Sequence, residues 1–190
     1  MKRKNIAFAI PFIAIIIISS FTTLTAQNKI NVVPGGVYEI VEILDRVSGN
    51  ITDFIFLDED GNKCSLTEYA KGQYIFQNFW GTWCPPCRRE IPDIIELQTE
   101  LKGKVLMIGI ALERAANPKQ TVINYVKNNN INYINFVGPG EIIGKLTSTY
   151  GGINSVPTTH IIHKNGKIME TIIGGRSKHD FQQSLDKAMN

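Results

Sequence analysis

Residues 79–92 read Phe79-Trp80-Gly81-Thr82-Trp83-Cys84-Pro85-Pro86-Cys87-Arg88-Arg89-Glu90-Ile91-Pro92, and the join at the centre of this stretch decides the fold. Gln73 to Trp80 is an apolar-rich strand. Beyond it, Ile91, Ile94, Ile95, Leu97 and Leu101 recur on one face of a helix expected from Pro85 to about Leu101. Proline is tolerated in the first turn of a helix and not in its continuation, so Pro85 and Pro86 fit only if the helix begins here. Cys84 then stands at the helix cap, expected to be exposed, with Cys87 one turn in and more buried.

That placement has chemical consequences. A thiol is nucleophilic as its thiolate, and a free cysteine near pKa 8.5 is mostly protonated at neutral pH. The unpaired N–H groups at a helix start favour the anion. Cys84 is thus the expected attacking sulfur and Cys87 the one that resolves the mixed disulfide. The two prolines remove two N–H donors from the neighbourhood of the Cys84 sulfur. The thiolate is then less stabilised, which biases the couple toward reducing chemistry.

A bare C-x-x-C is also half of a zinc site, but a structural site needs four ligands. Cys64, His160, His163 and His179 are the other cysteine and histidines, and His160 and His163, three apart on a predicted strand, point to opposite faces. Neither a metal nor another cofactor is expected. A peroxidase of related fold would need a cysteine in a Pro-x-x-x-Thr/Ser-x-x-Cys setting, which none of the three cysteines has.

Outward from the motif, Lys104–Ala111 is nearly continuous in apolar residues, as in a strand buried on both faces. Helices are expected over Pro118–Lys127, with Asn117 as N-cap, and near Ile142–Tyr150, with a strand near Tyr133–Val137 between them. Thr158–His163 and Ile168–Ile173 flank an Asn165-Gly166 turn, a hairpin signal, and Lys178–Met189 closes the chain as a helix. Ahead of the motif, Asp53–Leu57, a turn through Gly61 and a short strand at Lys63-Cys64 make another hairpin. A short helix from Leu66 to Lys71 follows, with Gly72 placed for its C-cap. The pattern predicts an α/β domain over residues 51–190, a central mixed sheet flanked by helices with an N-terminal β-hairpin extension. Residues 27–50 are expected as a leader or a short peripheral strand (Val37 to Leu44).

Residues 1–26 are of another kind. Lys2-Arg3-Lys4 precede an apolar run from Ile6 to Ile18, interrupted by Pro11. This is the pattern of a secretory signal and is short for a membrane span of about 20 residues. Two outcomes stay open: cleavage after Ala26, or an uncleaved anchor extended through Phe21 and Leu24, the one way the chain would engage a membrane. Either exports the domain, to the periplasm or the outer face of the cytoplasmic membrane. The formal net charge of +3 comes from those three basic residues, leaving a neutral domain with no electrostatic reason to bind nucleic acid.

The motif resembles the active site of the thioredoxin superfamily, and specifically the TlpA/ResA type of extracytoplasmic thiol–disulfide oxidoreductases, from roughly Thr52 to the C-terminus. The resemblance implies a thioredoxin fold and protein substrates bearing disulfides or thiols. It further implies a membrane electron donor, and a reductase of the kind that prepares apocytochromes for haem attachment. It implies that Pro157, in Gly151-Gly152-Ile153-Asn154-Ser155-Val156-Pro157-Thr158, is cis and faces the cysteine pair, with Val156 supplying backbone groups to an extended substrate. Pro92 matches the proline that kinks the active-site helix in this superfamily. Glu90 matches a glutamate near the active site, half-buried and able to exchange protons with the Cys87 thiol; the alternative is a solvated glutamate paired with an arginine. Asn78 stands where thioredoxins have a buried acid, which shifts proton transfer toward Glu90.

Trp80 is expected in the core, Trp83 as a shield and partner contact beside Cys84, and Arg88 and Arg89 as a solvated helix face. Cys64 is read as a small semi-buried residue, with a regulatory or intermolecular disulfide as the alternative, and the 113–117 loop is placed to line the substrate groove but carries no assigned role. The rival readings are a disulfide donor in oxidative folding and a non-enzymatic exported binding module.

Overall fold

The computed structural model describes residues 30–44 and 50–190; the expected signal or anchor lies outside them. None of the described helices is long and apolar enough to cross a membrane. The strands are β1 (Val37–Ile43), β2 (Phe54–Leu57), β3 (Lys63–Ser65), β4 (Tyr74–Trp80), β5 (Val105–Ala111), β6 (Ile134–Val137), β7 (Thr158–Ile162) and β8 (Ile168–Ile173). The helices are α1 (Leu66–Ala70), α2 (Pro85–Glu100), α3 (Pro118–Asn128), α4 (Gly140–Ser148) and α5 (Lys178–Met189).

One mixed sheet runs β3-β2-β1-β6-β5-β4-β7-β8. Strands β1, β6, β5 and β4 are parallel to their neighbours in that run, while β7 and β8 at one side and β2 and β3 at the other pair antiparallel. One face packs against α2, α3 and α5 through Ile91, Ile94, Val122, Phe181 and Leu185. The other is covered by α1 and α4 through Leu66, Ala70 and Leu146. Burial on both faces explains the unbroken apolar character of β5. The local signals hold: Gly61 and Gly166 take the left-handed conformation their turns require, and Asn117 Oδ1 accepts the Gln120 N–H at 3.2 Å to cap α3.

Two expectations are corrected. The strand thought peripheral is inside the sheet: β1 pairs in parallel with β6 and antiparallel with β2. A register shift between Ile40 and Glu42 lets Ile40 and Ile43, three residues apart, both enter the core, where strict alternation would put them on opposite faces. The sheet-forming region therefore begins well before residue 51. Second, α1 ends a residue early, with Lys71 itself in the left-handed conformation at the C-cap before Gly72.

Candidate active site

The site lies where β4 hands over to α2. Cys84 is the N-cap in extended conformation, with Pro85 and Pro86 at the first helical positions. Its Sγ accepts the Cys87 N–H at 3.2 Å, the first backbone donor left once the two prolines have supplied none. Cys84 and Cys87 are joined by a disulfide of 2.08 Å. This geometry, a sulfur at the cap of a 16-residue helix, is the one the spacing predicts.

The expected exposure of Cys84 is not what the fold provides. Cys84 is 2% exposed and Cys87 fully buried. The Val156 carbonyl oxygen lies 3.5 Å from Cys84 Sγ, and the Val156 side chain packs against both core clusters. In the bonded state the first sulfur turns inward to its partner, and the loop covers what remains. The Val156–Pro157 peptide bond is cis, and the carbonyl of Val156 is the group of this pair that lies against Cys84.

Beneath the disulfide, Glu90 follows Cys87 by one helical turn on the buried face of α2. It is only 3% exposed, deeper than the expected half-burial, because Asn78 below and the 174–176 loop beside it close over the carboxyl. Asn78 Nδ2 donates to Glu90 Oε1 at 2.9 Å and to Thr159 Oγ1 at 3.0 Å, and the Arg176 N–H donates to Glu90 Oε2 at 3.4 Å. Burial raises the Glu90 pKa to about 7, outweighing the Asn78 and Arg176 hydrogen bonds that pull it down. A carboxyl poised there can take or give a proton near neutrality. Asn78, polar within an apolar strand, was visible as a signal; Thr159 and the Arg176 backbone were not, since only the folded chain brings them in.

Around the mouth, Trp83 is 38% exposed, and its Nε1–H donates to the Leu112 carbonyl at 2.9 Å. The Arg114 guanidinium sits 3.6 Å from the centroid of the Trp83 ring. Glu113 Oε2 accepts from the Thr82 N–H at 3.3 Å and the Thr82 Oγ1–H at 2.5 Å, tying the loop after β5 to the approach to Cys84. Trp83, Leu112, Glu113 and Arg114, together with Ile143, Ile153 and Val156, line an open groove of about 360 Å³. The 113–117 loop, to which the sequence assigned no role, contributes Glu113 and Arg114 to the groove wall.

The remaining candidates separate from the site. Trp80 is fully buried, its Nε1–H bonded to Asn135 Oδ1 at 3.1 Å. Arg88 and Arg89 are exposed on α2. Cys64, on the sheet's outermost strand β3, is 4% exposed, and burial pushes its thiol pKa up, the condition of an inert cysteine. Among the described residues no group of three or more His, Cys, Asp or Glu is placed to hold a metal ion.

Comparison with known proteins agrees with this geometry. The AhpC/TSA family matches residues 47–171. The chain is 36% identical over 142 residues to the thiol-disulfide oxidoreductase ResA of Bacillus thuringiensis, covering 75% of this chain and 78% of that protein. Among solved structures, a thiol:disulfide interchange protein of the thioredoxin family from Chlorobium tepidum superposes with a TM-score of 0.63. It is 31% identical, over 77% of this chain and all of that one. An exposed lipoprotein thioredoxin from Streptococcus pneumoniae is 30% identical, with a TM-score of 0.56, over 71% of this chain and 98% of that one.

Proposed function

Because the chain belongs to the AhpC/TSA family and is a thioredoxin-fold thiol–disulfide oxidoreductase of the ResA kind, we propose that it works outside the cytoplasm as a reductase of protein disulfides. In this reading Cys84 and Cys87 are the catalytic pair. The observation that carries it is the disulfide at the helix cap, with one backbone N–H on the outer sulfur.

Starting from the dithiol, Cys84 thiolate, stabilised by the Cys87 N–H and the helix start, attacks one sulfur of a substrate disulfide. The substrate's other sulfur leaves as thiolate and takes a proton. Glu90 in its ionised form accepts the Cys87 proton, and the Cys87 thiolate displaces the substrate sulfur from Cys84, closing the disulfide described here. Two electrons pass from the protein's dithiol to the substrate disulfide, and a second thiol is released. Trp83, Val156 and Pro157 hold the substrate: Val156 offers its carbonyl, now against Cys84 Sγ, to an extended segment. Pro157 shapes that loop, and Trp83 provides an exposed apolar face beside the sulfur.

Return to the dithiol requires an outside donor of electrons, which we assign to a membrane dithiol carrier. Apocytochrome thiols are the substrates that the ResA-type resemblance favours. Export is supported by the basic and apolar residues at the start of the sequence and by likeness to a relative named an exposed lipoprotein. The reducing direction is supported by Pro85 and Pro86, which leave the Cys84 sulfur poor in donors.

The test is insulin reduction by dithiothreitol. Wild type should accelerate it and Cys84→Ser should not, and the measured potential should be well below the roughly −120 mV of strongly oxidising relatives of the fold. A potential near that value would assign the chain to oxidative folding instead. Equal rates with wild type and Cys84→Ser would remove Cys84 from the chemistry.

A further inference from the structure

We propose that Arg114 makes the groove beside Cys84 selective for substrate segments that carry an acidic side chain near the reactive cysteine. The inference rests on the exchange role of Cys84 proposed above, and adds to it the chemistry of what is recognised.

Arg114 is exposed, and its guanidinium carbon lies over the Trp83 ring, 3.6 Å from the centroid. Cation–π attraction to the ring holds the guanidinium in place and leaves it N–H donors in the fork geometry that suits a carboxylate. Among the described residues no carboxylate pairs with it. The one other charged side chain on the groove wall, Glu113, is engaged elsewhere: Oε2 by the N–H and hydroxyl of Thr82, Oε1 by the Arg114 backbone N–H at 2.8 Å. Glu113 therefore fixes the loop that presents Arg114, with both its carboxylate oxygens engaged away from the guanidinium.

The rest of the wall fits the same occupant. Ile143, Ile153 and Val156 supply apolar surface for a neighbouring side chain. Gly140, the first residue of α4, also lines the groove, and its N-cap Pro139 gives no side-chain hydrogen bond, so the N–H groups of that turn add positive potential. An extended segment laid along Val156 with its cysteine at Cys84 would run past Trp83, bringing an adjacent acidic side chain to Arg114. The oxidation step itself is unchanged: enzyme dithiol and substrate disulfide become enzyme disulfide and substrate dithiol.

The test uses the full chain, reduced beforehand with dithiothreitol and freed of it, and two disulfide-bonded peptides that differ only in flanking glutamates or lysines. Hydroxyethyl disulfide serves as an uncharged reference. Wild type should be oxidised with a second-order rate constant about threefold or more higher for the glutamate peptide, a preference that shrinks with added salt, as for an exposed ion pair. Arg88 and Arg89 on α2 carry the same sign, so the Arg114 share is read from variants: Arg114→Lys should keep the preference, and Arg114→Glu should invert it. Equal rates for the two peptides, or a preference untouched by Arg114→Glu, would overturn the inference while leaving exchange standing. Failure of wild type to oxidise with any of the three disulfides would reject the exchange reading, and the inference with it.

Discussion

Glu90 is the residue whose environment most changes its ordinary chemistry. Buried under the 174–176 loop, its carboxyl titrates at about 7 where 4.5 is usual. A raised pKa means that the folded state holds a proton the unfolded chain gives up. Stability from this group is therefore complete below about 4.5 and is lost as pH rises through about 7. The difference is on the order of 3 kcal/mol. Glu90→Gln should flatten that dependence: urea denaturation of the oxidised protein from pH 4.5 to 8 should show wild type falling relative to the variant. Parallel curves would mean that the carboxyl is not desolvated as described. The sequence placed Glu90 on the right face of the right helix, since three residues separate it from Cys87. Its depth was not legible, because the groups that cover it come from strands and a loop up to 86 residues away. The same holds for Cys84: its position at a helix start follows from Pro85 and Pro86, but its burial depends on Val156, 72 residues on.

At the scale of elements, what could be read was what short-range chemistry decides. Pro118 after Asn117 sets the start of α3, Asn165-Gly166 sets the β7–β8 turn, and Lys178–Met189 forms the expected closing helix. Contacts across the sheet are a different matter. Beneath the site, β5 passes between β4 and β6, and the Trp80–Asn135 hydrogen bond crosses over it. The crossing point is Gly109, where a Cβ would come 2.2 Å from Asn135 Oδ1 and 2.7 Å from Trp80 Nε1. An apolar run containing one glycine gives no hint of this. Gly109→Ala should break that bond or shift β5, with a loss of about 2–3 kcal/mol in denaturant unfolding. A loss below about 0.5 kcal/mol would show that the crossing tolerates a methyl group.

For the whole molecule, the sheet's continuity depends on β1. It is the bridge between the β2–β3 hairpin and the β6-β5-β4 core, and it buries Tyr38, Ile40 and Ile43. Its place escaped sequence reading because its parallel partner, Asn135 opposite Val37, is far along the chain, and because the bulge after Ile40 spoils the two-residue period. A chain lacking residues 30–44 should expose the edges of β2 and β6 together and lose cooperative thermal unfolding, whereas one lacking only residues 1–29 should keep it. Cooperative melting of the shorter chain at the same temperature would show that β1 is an ornament on the sheet.

Every step proposed for the chain passes through a covalent bond to Cys84, so the most direct measurement is to catch it. The Cys87→Ala variant, reduced and mixed with a disulfide-bearing protein, should accumulate a mixed disulfide that peptide mass mapping assigns to Cys84, with Cys64 unmodified. Adducts at Cys64 alone, or no adduct at Cys84, would contradict the account.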